Sequence, residues 1–278
     1  MIPPAHRETP EAMGSVAGRF RRGFQQLRNS AGTWMLVRFL LIFQTIPFIW
    51  DLLWPPGDSY PGRLELAQTL LGLRRDLFLS GDFWQSLSYA FIHANWAHLA
   101  INVACILMLG SKLEHFIPKR SLWILTFLSV MAGGALFLLL TSYAPMELGG
   151  PEPQTLVGSS AICFAFLVFQ TTVSPESKFL PFFLSGKSIG IAIILANLTL
   201  ALLNPNLPTG PLAQFGIQLS ENGFENLFRV SHACHLGGSL AGYLYGKWLL
   251  RPRVSLKSLK KAREKNERGE IRKEKPGF

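Results

Sequence analysis

Charge is scarce in this chain. Only 16% of its 278 residues are Asp, Glu, Lys or Arg, whereas soluble domains carry about a quarter. The scarcity is also uneven: long stretches hold almost no charge, and Lys and Arg crowd the two ends. A soluble globular domain spreads charge over its whole surface, so that class is excluded. Hydrocarbon sorts charge this way, because an ion in a bilayer core is costly and is displaced into the loops. Cysteine is scarce as well. Cys105, Cys163 and Cys234 all fall in apolar stretches, an odd, scattered set with neither a disulfide framework nor metal-ligand spacing. Cys234 adjoins His235, but helical neighbours point about 100° apart, so adjacency does not make them a pair. No separate apolar signal region precedes the first long apolar segment. An uncleaved anchor is therefore expected. No convincing internal repeat is present, which counts against a small transporter.

The net charge of +10 invites a nucleic-acid reading that its placement excludes. Twelve of the 27 Lys and Arg lie from Lys247 onward, and five more precede Thr33. They flank apolar spans and do not form a folded basic face with polar readers. Anionic lipid at the basic tails is the expected partner, not nucleic acid.

Six apolar segments approach the roughly 20 residues a bilayer core requires. They run over Trp34–Trp54, Ala94–Phe116, Ser121–Tyr143, Val157–Thr172, Leu180–Leu203 and Leu227–Leu250. Basic residues favour one orientation. The N-terminal tail, the loop with Lys112, Lys119 and Arg120, and the C-terminal tail are positive. The stretches 144–156 and 204–225 contain no Lys or Arg. Arg63, Arg74 and Arg75 in the first outer loop are the exception. The expected fold is an all-α membrane protein, a six-helix bundle with both ends in the cytoplasm. Its membrane domain spans 34–250, between basic tails at 1–33 and 251–278. Residues 13–28 suit a basic amphipathic helix on the membrane surface. The tail from Ser255 reads as solvated, disordered or weakly helical.

Polar residues inside spans default to functional hypotheses. The second segment carries His93, His98, Asn102 and Glu114. The fourth opens with Gly158-Ser159-Ser160-Ala161. The sixth carries His232 and His235, then Gly238, Gly242 and Gly246. His98 and Asn102, four residues apart, share a helix face. Ser160 sits in a first helical turn, where free N–H groups and the positive dipole end favour an oxyanion. His235 supplies a general base. Nucleophile, base and oxyanion donors on three helices form a minimal acyl-transfer set. The glycines at every fourth position make a groove for close approach, matched by Ala161 and Ala165. Phe164, one turn below Ser160, is placed to stack on the imidazole. Taken singly, each feature has a bland reading: a serine back-bonding its helix, a packing seam, a structural histidine. Their joint occurrence in this order favours catalysis.

These residues resemble the rhomboid proteases. His93-Ala-Asn-Trp-Ala-His98-Leu-Ala-Ile-Asn102, with Glu114 beyond it, looks like the family's second-helix signature. Gly158-Ser-Ser160-Ala looks like its nucleophile motif, and His235-Leu-Gly-Gly238-Ser-Leu-Ala-Gly242 like its sixth-helix motif. The resemblance covers the core from about Trp34 to Leu250. It implies Ser160 as nucleophile and His235 as general base and acid. His98, Asn102 and the Ser160 backbone N–H are then the oxyanion donors. His93, Asn102 and Glu114 fix the second helix and its adjoining loop. Ser159 and His232 fall outside the dyad, His232 as a polar rim residue. The implied mechanism uses no metal or cofactor and cuts transmembrane protein substrates, with unwinding-prone residues near the outer end of the substrate span. A bacterial cytoplasmic membrane is the expected location. Two departures stand out: Gln85 follows Trp84 where the family commonly has Arg, and Ala161 replaces the Gly that often follows the nucleophile. The rival reading is a catalytically silent rhomboid-like binding or quality-control factor, which normally lacks the Ser or the His.

Overall fold

The computed structural model describes residues 25–55, 62–141, 154–179, 183–205, 210–228, 230–251 and 256–267. Within them the protein is almost wholly helical. Helix α1 is Ala31–Leu53. Three short helices follow, α2 (Arg63–Leu71), α3 (Arg75–Leu79) and α4 (Gln85–Ser88). The long helices α5 (Trp96–Phe116), α6 (Lys119–Thr141), α7 (Ser160–Val173) and α8 (Gly186–Leu202) come next. Helix α9 is Pro211–Leu219, α10 is His232–Leu250 and α11 is Leu256–Glu267. A two-residue antiparallel ladder, β1 (Lys178–Phe179) against β2 (Leu184–Ser185), precedes α8.

Helices α1, α5 and α6 are long and apolar enough to cross a membrane, and α7 and α8 are shorter apolar helices. In α1 the buried residues Thr33, Leu36, Val37, Leu40 and Gln44 recur at helical spacing. The remaining faces present Phe39, Ile42, Ile46 and Trp50 outward. A soluble protein hides such a face; a membrane protein turns it to lipid. The core lies around α7, whose Ala161, Ile162, Ala165, Phe166 and Phe169 are almost completely buried. Helix α10 packs along α7 and α6, and α5 and α8 flank α7. Lipid is as apolar as leucine, so close van der Waals packing must hold these helices together.

The α7–α10 seam achieves that packing with glycine. A Cβ on Gly238 would lie 2.2 Å from the Ala161 carbonyl oxygen, and one on Gly242 2.3 Å from that of Ala165. These are backbone atoms, so no rotamer change relieves the contact. Gly246 faces Thr172 and Phe169 less tightly. The glycine groove therefore meets Ala161 and Ala165, as their matching spacing implies.

Two helices start later than their apolar runs. Helix α8 begins at Gly186 because the Ser185 side chain accepts the Ser188 N–H as its N-cap, after the β1–β2 ladder. Helix α10 begins at His232, where Ser231 accepts the Cys234 N–H; residues 225–228 form a separate tight turn. The amphipathic segment expected at 13–28 lies outside the described residues except for 25–28, which are helical. The lysine-free loop at 144–156 is described only from 154. In the C-terminal tail, Lys257–Glu267 of α11 are exposed, with Arg263 Nε donating to Glu267 Oε1 at 2.7 Å.

Candidate active site

Ser160 is the first residue of α7 and His235 lies in the first turn of α10. The close helix approach brings the Ser160 hydroxyl to 2.9 Å from His235 Nε2. The hydroxyl donates there when the imidazole proton sits on Nδ1. The His235 ring stacks on Phe164, centroids 4.3 Å apart and planes 26° from parallel. His232 meets the same ring edge-on at 5.9 Å. Ser160 and His235 are both partly exposed, so reactants have access to a pair whose surroundings are otherwise closely packed.

The turn preceding Ser160 explains its Gly-x-Ser spacing. Gly158 has φ +111°, a region that L side chains rarely adopt, and a Cβ there would lie 2.6 Å from His98 Cε1. The glycine thus makes the turn and admits His98 at the start of α7. Ser159 faces the other way and is fully buried. Its N–H donates to His93 Nε2 at 3.2 Å, and its hydroxyl is 3.1 Å from the same nitrogen. His93 in turn donates its backbone N–H to Gln44 Oε1 of α1 at 2.9 Å. His93 therefore ties α1 to the start of α7.

His98 lies in the first turn of α5, next to His93 and Gly158. Asn95 caps this helix, its Oδ1 accepting the His98 N–H at 2.8 Å. Asn102, one turn on, faces α7 and is 4% exposed, and its Nδ2 has no partner among the described residues. In the first turn of α7 the Ile162 and Cys163 N–H groups both reach back to the Ser159 carbonyl, Ile162 at 2.9 Å. Two residues of α5 thus lie against the start of α7, His98 beside Gly158 and Asn102 beside Cys163.

Glu114 lies at the far end of α5, distant in sequence from the adjoining loop it was expected to fix. It caps α1 instead. Its carboxylate accepts the backbone N–H groups of Gly32 and Thr33, and the Thr33 hydroxyl at 2.8 Å. His232 is more than a rim residue, with ring nitrogens 3.2 Å from Asn197 Oδ1 on α8 and 2.7 Å from the Leu227 carbonyl oxygen.

The stretch between α2 and α3 is joined to the segment before Ser160 by a two-bond bridge between Leu73 and Leu156, 2.9 Å each way. Gly158 N–H donates to the Tyr89 carbonyl at 2.9 Å. Gln85, the departure from the expected Arg, is fully buried; its Oε1 accepts the Arg74 N–H at 3.1 Å. Trp84 Nε1 donates to the Leu70 carbonyl at 3.0 Å. The amide thus supplies an internal bond for the loop. Arg74 also pairs with Asp76, Nη2 to Oδ2 at 2.5 Å, and this hydrogen bond holds the Asp76 carboxyl below the usual carboxylate range. Among the described residues no cluster of three or more His, Cys, Asp or Glu is arranged to hold a metal.

Three supporting groups went unremarked in the sequence: Gln44, Asn197 and Tyr89, whose hydroxyl donates to the Val130 carbonyl at 2.7 Å. Gln44 and Asn197 are lone amides in apolar spans, and the cost of burying an amide in hydrocarbon was the signal that could have found them.

The Rhomboid domain family matches residues 80–252, which is most of the chain and contains both Ser160 and His235. The chain belongs to the rhomboid family. The match begins beyond α1, so it includes neither the first long helix nor its Glu114-capped end. No curated protein matches the sequence. Family membership and the apolar helices together identify an integral membrane protein of the rhomboid intramembrane protease family.

Proposed function

We propose that the protein is an intramembrane serine endopeptidase that hydrolyses peptide bonds in or near the transmembrane segments of membrane-protein substrates. The observation that carries this reading is the 2.9 Å contact between Ser160 Oγ and His235 Nε2, with the imidazole stacked on Phe164. His235 Nε2 takes the Ser160 proton as Oγ bonds to the scissile carbonyl carbon. The resulting oxyanion is held by His98, Asn102 Nδ2 and the N–H of Ser160. His235 returns its proton to the leaving amine nitrogen as the C–N bond breaks. Water, deprotonated by His235, then hydrolyses the acyl-enzyme ester and regenerates Ser160. Among the described residues no carboxylate bonds the imidazole; Phe164 stacking and the glycine seam fill that role.

The reading extends to topology. Helices α1, α5, α6, α7, α8 and α10 are the six spans, with both basic tails in the cytoplasm against anionic lipid. The cytoplasmic membrane of a bacterium is the proposed location. Substrates enter as helices and must unwind, because a helix sequesters its scissile bonds.

The test is cleavage of a reporter transmembrane substrate by purified protein in detergent, comparing wild type, Ser160→Ala and His235→Ala. Cleavage lost in both variants, each with an unchanged melting temperature, is the expected result. Equal cleavage by Ser160→Ala and wild type would sink the mechanism. A folded wild type that cuts none of several substrates, including ones with Gly or Pro near the outer end of the span, points to a silent rhomboid-like binding factor.

A further inference from the structure

Cys163 lies on α7 one turn past Ser160, and its thiol faces Asn102 on α5. The sulfur is 3.4 Å from Asn102 Oδ1 and 3.6 Å from the Asn102 backbone oxygen. Both are acceptors within reach of the single thiol proton, and Oδ1 is the nearer. The neighbouring Cys105 thiol, three residues beyond Asn102 on α5, interacts with the Cys163 sulfur. A thiol is a weak donor, but this one is 7% exposed, and a buried hydrogen bond is stronger than one in water.

The contact matters because of the symmetry of an amide. Turning the Asn side chain by 180° exchanges oxygen for nitrogen at almost no steric cost, so hydrogen bonds alone decide which atom faces which way. With Oδ1 held by Cys163, Nδ2 is directed away from the thiol. Nδ2 is also the atom that is buried without a partner among the described residues. An aliphatic side chain at residue 163 would pack as well but leave the amide free to turn its oxygen, a repulsive acceptor, toward a developing oxyanion.

We propose that Cys163 is a positioning residue that orients Asn102 so that its N–H groups face the oxyanion. This rests on the proposed role of Asn102 as an oxyanion donor. The bond acts on a group used only in the transition state, so its loss lowers kcat and leaves KM unchanged.

The experiment measures kcat and KM for Cys163→Ala, Cys163→Ser, Asn102→Ala and the Cys163→Ala/Asn102→Ala double variant, with thermal unfolding in the same detergent. Cys163→Ala is expected to lose about three- to tenfold in kcat, the range of one modest hydrogen bond. Cys163→Ser, which still donates, keeps near wild-type kcat. In the Asn102→Ala background Cys163→Ala costs nothing further. Equal kcat losses in Ser and Ala variants, tracking a lowered melting temperature, would mean that the thiol only packs and would overturn the inference. An undiminished Cys163→Ala effect in the double variant would do the same. A normal kcat in Cys163→Ala beside a large loss in Asn102→Ala removes the inference and leaves the oxyanion reading standing. A normal kcat in Asn102→Ala removes both. If Cys163→Ala does not fold, Cys163→Val, also without a donor, replaces it in every arm.

Discussion

Two joints in this bundle are built on opposite principles. The α7–α10 seam has little polar glue between its spines: glycines bring one backbone against the other, and the Ser160–His235 contact sits at its end. The α1–α5 joint is polar, with Glu114 receiving donors from Gly32 and Thr33, and Ser30 and Gln26 bonding to the Ser111 carbonyl. Backbone-on-backbone packing has no side-chain torsions to relax, so it holds a register to fractions of an ångström. A carboxylate fork tolerates small displacement and still satisfies its donors. The rigid joint carries the proposed chemistry, and the compliant one anchors a helix end.

Adding volume to the seam tests this contrast most severely. Gly238→Val drives a branched side chain into the Ala161 carbonyl. It is expected to cost at least about 3 kcal/mol in stability, since overpacking that cannot relax is at the costly end of its range. Cleavage should fall by about a hundredfold or more, read by reporter cleavage beside thermal unfolding. A variant with normal turnover would show that the register has slack.

Glu114→Ala probes the other joint. It strips the donors at the start of α1 of their acceptor, costing about 2–3 kcal/mol, with kcat within about threefold of wild type. Equilibrium unfolding in mixed micelles measures the first and initial rates the second. A kcat loss far beyond the stability loss would mean that the two joints are coupled.

Phe164→Ala, which releases the imidazole ring while leaving the seam, is expected to lower kcat about fivefold, in keeping with one aromatic contact of about 1 kcal/mol. Phe164→Leu should recover only part, and unchanged kcat in both would remove stacking from the mechanism.

The smallest effect belongs to the short helix α3. The Asp76 carboxyl is held low by Arg74, so its contribution is present above the ordinary aspartate value of about 3.9 and is lost as pH falls through the lower folded value. Asp76→Asn should be slightly less stable at neutral pH, by under about 1 kcal/mol after solvent screening. The difference should vanish as the medium is acidified below about pH 4; a difference that persists there would assign the effect to something other than charge.

Much of this arrangement was legible in residue spacing. Gly238 and Gly242 met Ala161 and Ala165 because a four-residue repeat fixes a helix face wherever the helix goes. Phe164 stacked on His235 for the same reason, being one turn from Ser160 on the same helix. The partners of Glu114 were not legible, because they belong to another helix and no periodicity links them. His93 was expected to steady its own region, but nothing in its neighbourhood indicated that its partners would be Gln44 and Ser159. The starts of α8 and α10 were hidden too, since hydropathy marks where a chain is apolar and serine caps decide where a helix begins.

Glu114 also imposes an order on biogenesis. The first turn of α1 leaves the ribosome 82 residues ahead of the carboxylate that satisfies Gly32. Throughout that interval its donors depend on water, headgroups or the insertion machinery. Helix α1 is therefore made as an unfinished element and is completed only when the end of α5 arrives. A truncated chain that stops before residue 114 would present a correctly apolar helix with an unsealed end.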